Sequence, residues 1–135
     1  MSRSGYSEDC DGWALICWRG AVAKSIRGKR GQAFLRETLT ALDAMPDRKL
    51  AADSLRESAT GEYCTLGAVG AARGMDLGPL EDVEASGVAS AFGISRALAA
   101  EIMYLNDEGW YNTSTPEGRW SFMRSWVTSK IQPTP

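Results

Sequence analysis

The chain has 135 residues, 44% hydrophobic and 24% charged, with a net charge of −2, the profile of one ordinary globular domain without the roughly 20-residue apolar run of a membrane span. It contains no histidine, which excludes Ser–His–Asp and Cys–His catalysis, histidine general bases and histidine metal ligands. Three cysteines, Cys10, Cys17 and Cys64, cannot all pair within one chain and give no disulfide framework, so they are expected as thiols in a reducing compartment.

Residues 1–11 are polar and acidic, unlike a secretory signal or transit peptide, and read as a flexible N-terminal tail. Residues 12–131 read as a single helical domain, and 132–135 as a flexible C-terminal tail. Within "CDGWALICWRG", Leu15, Trp18, Val22 and Ile26 set a helical period that predicts a first helix over 12–27, with Trp18 and Cys17 facing the core. Asp11 is its expected N-cap. "RGKRG" (27–31) reads as a helix stop and tight turn, followed by a second helix from about Gln32 to Ala44 with Leu35, Leu39 and Leu42 inward and Pro46 beyond its end. The two helices form a helical hairpin.

Residues 48–65 fit either a helix or a small two-stranded hairpin ending in "TGEYCTL". "TLGAVGAARGMD" predicts a short helix of small residues stopped by Gly74, suited to close approach of a neighbour. Pro79 opens a predicted helix reaching Phe92, weakened at Gly87. Ser95 caps another over 96–106 with Leu98, Ile102 and Leu105 inward, "NDEGWYNTST" is a polar loop, and Thr115 with Pro116 opens a last helix to about Ile131. The expected fold is mainly α: a compact single-domain helical bundle with room for one small β-hairpin.

Candidate chemistry is sparse. Three unpaired cysteine positions do not make a zinc set. Cys10 near a helix N-terminus is either an exposed thiol or a mildly activated one, opposed by neighbouring acids. Neither "RGKRG" nor "LGAVGAARG" has phosphate-loop spacing. Glu101, within "ALAAEIMYLNDEG", is expected as a semi-buried acid near a basic residue, structural rather than catalytic. No catalytic residue, metal site or cofactor is expected.

Charge is uneven. Six cations and no acid lie between positions 19 and 36: Arg19, Lys24, Arg27, Lys29, Arg30 and Arg36. Seven acids against Arg96 alone fill 76–108. The basic run is a candidate surface for an acidic protein or a phosphate backbone. On the last helix, Trp120, Met123, Val127 and Ile131 span about 80° of arc, leaving Phe122 and Trp126 beside that stripe. With Arg119 and Arg124 they form a candidate interface, the alternative being a helix wedged between two layers.

The run "CDGWALICWRGAVAKSIRGKRGQAFLRETLTALDAMP", with "EYCTLGAVGAARG" and "ALAAEIMYLNDEG", resembles a group of small proteins of tailed phages and bacterial prophages. No catalytic residue comes with that resemblance. It implies a phage accessory protein in the host bacterial cytoplasm, acting by binding, some such proteins blocking host defence in the manner of anti-CRISPR or anti-restriction inhibitors. The expected function is therefore non-enzymatic binding of a host or phage macromolecule, a protein first, with nucleic-acid binding through the 19–36 hairpin as the alternative. Self-association into a homo-oligomer is a further expected mode, and no membrane partner is expected.

Overall fold

The computed structural model describes residues 3–5, 12–109 and 115–133. The expectations for Cys10, the Asp11 cap and the aromatics Trp110 and Tyr111 lie outside the described residues. Six α-helices are present among those described: α1 (Gly12–Arg27), α2 (Lys29–Ala44), α3 (Thr65–Ala72), α4 (Ala85–Phe92), α5 (Arg96–Glu108) and α6 (Pro116–Lys130). The fold is mainly α, and no single helix among the described residues is long and apolar enough to cross a membrane.

The core is built around α2 and α5. Helix α2 packs on α3 and α6, α5 packs on α4, α1 and α3, and the two groups share one apolar cluster. Leu35 and Leu42 of α2, Leu98 and Ile102 of α5, and Met123 and Val127 of α6 are all essentially inaccessible to water. Ser95 caps α5 by accepting from the Leu98 N–H at 3.1 Å, and Thr115 caps α6 by accepting from the Gly118 N–H at 3.0 Å. Both caps satisfy backbone donors that a helix start otherwise leaves without partners.

Four expectations need correction. The second helix begins at Lys29 rather than Gln32, with only Gly28 between it and α1. Gly31 lies inside the first turn of α2, where a Cβ would collide with the Ser25 carbonyl oxygen, so it permits contact between the helices rather than a turn. Cys17 is exposed, not buried. Helix α1 packs mainly on α5 and α2, so one narrow stripe is covered, with Val22 buried and Leu15, Trp18 and Ile26 half-buried. The helix foreseen from Pro79 to Phe92 is split into a 3₁₀ turn, Gly78–Leu80, and α4. Glu81 diverts the chain by accepting from the backbone N–H groups of Leu55 (3.3 Å) and Arg56 (2.9 Å). Residues 48–64 form neither helix nor sheet, and Thr65 already opens α3: an extended loop folds back on itself through a single antiparallel bridge, Arg56 with Tyr63.

That loop is anchored by a buried polar cluster. Asn106, at 0% exposure, accepts from both the Thr65 N–H (3.0 Å) and the Thr65 hydroxyl (2.8 Å). Its amide donates to the Ala51 carbonyl (2.9 Å) and to Asp107 (2.8 Å). Asp107 also receives the Arg3 guanidinium through two bonds of 2.6 and 2.9 Å and the Asp53 N–H at 2.9 Å. Arg3 is thus pinned and Ser4 is buried.

Candidate binding surfaces on the first helix

At 100° per residue the two sides of α1 diverge. Leu15, Trp18, Val22 and Ile26 turn inward. Trp13, Ile16, Cys17, Gly20, Lys24 and Arg27 fall within about 100° of arc on the opposite side. That outer stripe is solvent-facing: Trp13 is 74% and Ile16 64% exposed, the two most exposed large apolar side chains among the described residues. Its first half is apolar and its second half cationic.

Four cations of the basic run, Lys24, Arg27, Lys29 and Arg30, gather at the α1–α2 corner, whereas Arg19 lies two turns earlier on α1 and lines the groove against α5 and α6. Arg19, Lys24, Arg27, Lys29 and Arg30 are exposed, and none forms a salt bridge among the described residues. Lys29 and Arg30 occupy the first turn of α2, where the helix dipole disfavours positive charge by roughly 0.3–1 kcal/mol per residue. With Lys24 they border a hollow of about 270 Å³ that also reaches Ser95 at the start of α5. An anionic surface placed here meets cations and uncompensated helix N–H groups together. Arg36 stands apart, its guanidinium bonded to the Gln132 carbonyl at 2.5 Å, so it ties α2 to the chain after α6.

The four candidate interface residues of the last helix lie in different surroundings. Arg119 is only 8% exposed and donates to the Leu50 carbonyl at 2.6 Å. Phe122 and Trp126 are half-buried and pack on the core cluster. Arg124 pairs with Asp43 at 2.6 and 3.2 Å; this hydrogen bonding holds the Asp43 carboxyl below its usual range. The apolar arc of α6 is divided between the core and the neighbouring groove.

That groove, of about 670 Å³, opens between α1, α5 and α6. Trp18 and Arg19 of α1 stand on one side, Trp126 and Lys130 of α6 on the other, and Glu101, Tyr104 and Leu105 of α5 between them. Glu101 is half-buried, as its sequence context suggests. Burial pushes its carboxyl above the usual range, against hydrogen bonding by Trp18 and the charges of Arg19 and Lys130. Lys130, Tyr104 and the outer pair Trp13–Ile16 escaped the sequence reading, although the i, i+3 spacing of the last pair was visible.

No protein-family model, curated protein or solved structure matches the chain.

Proposed function

We propose that this chain acts without catalysis, by docking the outer face of α1 and the α1–α2 corner onto an acidic, partly apolar surface of a host or phage protein. The setting is the one its phage resemblance implies: an accessory protein in the bacterial cytoplasm that inhibits a host defence system. The observation that carries the reading is the single stripe in which exposed Trp13 and Ile16 run on into Lys24 and Arg27. Exposed aromatic and aliphatic anchors beside cations suit a protein interface, where such anchors supply most of the energy. A phosphate backbone would use the cations and leave the apolar half uncovered. Among the described residues Glu101 is the only carboxylate of the groove, so a second acid–base partner, which paired-carboxylate chemistry needs, is missing there.

The hollow beside Lys24, Lys29 and Arg30 supports a second reading, nucleic acid held by its phosphates. The test compares the tagged wild type with two variants, W13A/I16S and R27E/K29E/R30E, expressed in a bacterial host. One protein recovered stoichiometrically by the wild type, and lost from both variants, is the expected result. Salt-sensitive duplex DNA binding that disappears in the charge reversal and survives W13A/I16S would replace the protein reading with the nucleic-acid one. Light scattering on the same samples separates a second copy of the chain from a foreign partner.

A further inference from the structure

The groove between α1, α5 and α6 lies on the opposite side of α1 from the proposed docking stripe, and its chemistry is different. Three kinds of group meet there. Indole rings come from two helices, Trp18 and Trp126, with the Tyr104 phenol between them. A half-buried carboxylate, Glu101, lies on the middle helix. Two exposed cations, Arg19 and Lys130, stand on the outer helices, and neither forms an ion pair among the described residues.

Each simple ligand class fails one of these three groups. An apolar side chain or helix laid in the groove would strip water from Glu101 and add no hydrogen bond to the one from Trp18, deepening the cost of its burial. A cation or amine would satisfy Glu101 but face repulsion from Arg19 and Lys130. A simple anion would satisfy the cations and be repelled by Glu101. The matching ligand has a flat apolar body, a hydrogen-donating edge and an anionic end remote from that edge. A nucleotide has all three, and a groove of about 670 Å³ lies within the usual size of small-molecule sites, about 300–1,000 Å³.

We propose that this groove binds a free guanine mononucleotide, its base against the tryptophans, its Watson–Crick edge on Glu101 and its phosphate between Arg19 and Lys130. The carboxylate selects the base. Ionised, it only accepts hydrogen bonds, and guanine places two adjacent donors, N1–H and the N2 amino group, on one edge. Adenine and cytosine each place a donor beside a ring-nitrogen acceptor, which a carboxylate repels. Uracil has one donor between two carbonyls. Stacking on indole is indifferent to the base and contributes affinity without selection. The proposal is independent of the outer stripe and adds a ligand to the molecule.

The test titrates the full chain with GMP, AMP, CMP, UMP, guanosine and inorganic phosphate, followed by tryptophan fluorescence and calorimetry. GMP is expected to quench saturably and to bind at least about tenfold more tightly than the other nucleotides. Guanosine, lacking the phosphate, should fall by a similar factor, and inorganic phosphate should leave the fluorescence unchanged. E101Q should bring GMP down to the level of AMP, and R19E or K130E should bring it down to guanosine. R27E/K29E/R30E, at positions that do not line the groove, should leave GMP binding as it is. W126A should weaken GMP binding and remove part of the quenching; should it unfold, W126F, at full stability and with altered quenching, serves in its place. Absence of saturable binding at millimolar GMP overturns the proposal, as does an E101Q variant with unchanged base preference. A short single-stranded RNA that binds more tightly than GMP overturns it in favour of a nucleic-acid groove.

Discussion

Replacing Asn106 by alanine tests the buried polar cluster directly. Asn106 is at 0% exposure, and its amide serves the Thr65 N–H, the Thr65 hydroxyl, the Ala51 carbonyl and Asp107. After truncation Asp107 keeps Arg3 and the Asp53 N–H, and the Thr65 hydroxyl is free to rotate, so two backbone groups lose their partners. A buried polar group left unsatisfied costs about 1–3 kcal/mol, and the pair sets an expected loss of about 3 kcal/mol once partial relaxation is allowed. For a domain of this size that lowers the melting midpoint by about 10 °C. Urea unfolding should show the same loss as a midpoint lowered by about 1.5 M with an unchanged slope. T65V, which removes only the hydroxyl and leaves the Thr65 N–H bond to Asn106, should cost about 1 kcal/mol. An N106A variant within 1 kcal/mol of wild type, on the scale of about 5–15 kcal/mol that holds a domain together, would refute the idea that this cluster anchors the 48–64 loop to α5.

E101Q is expected to melt higher than wild type at neutral pH. Burial raises the folded carboxyl above its ordinary value of 4.5, so its favourable contribution is complete below the unfolded value and is lost as pH rises through the folded one. The gap between the variants should therefore widen from acid towards neutrality, and a gap constant with pH would contradict the assignment. G31A should force α1 and α2 apart, since a Cβ there collides with the Ser25 carbonyl oxygen. A cost of about 1–3 kcal/mol is expected from overpacking, together with faster proteolysis at 27–31; equilibrium unfolding and limited digestion check both.

The sequence spoke most clearly where a signal is local. Ser95, Thr115 and Pro116 mark helix starts by the chemistry of the first turn, and they do so in the structure. Glu101 was legible as a semi-buried acid because a lone carboxylate interrupted an apolar helical face. What stayed hidden depends on partners distant in sequence. Nothing around Asn106 and Asp107 announces that they reach Thr65, Ala51 and Arg3; in isolation "NDEG" is a polar loop. The break before α4 is likewise set by Glu81 reaching back to residues 55 and 56, a bond no propensity encodes. Cys17 shows the limit of periodicity: an apolar residue beside an inward stripe is covered only if a neighbouring helix is there to cover it. For α1 none is.

Helix α1 is held along one stripe, whereas α5 is enclosed by packing on four other helices. Opening free energies within one domain follow such differences, so the amide hydrogens of α1 should exchange with solvent well before those of α5. The proposed docking stripe and one wall of the groove are two sides of this single helix, on which Val22 is the buried residue. A partner that grips either side would suppress the same opening, so the two proposed binding events would be thermodynamically linked: occupancy of one face would raise affinity at the other with no change in the bound geometry of either. On the proposed reading, a helix on the outside of a bundle would thereby relay between its own two faces.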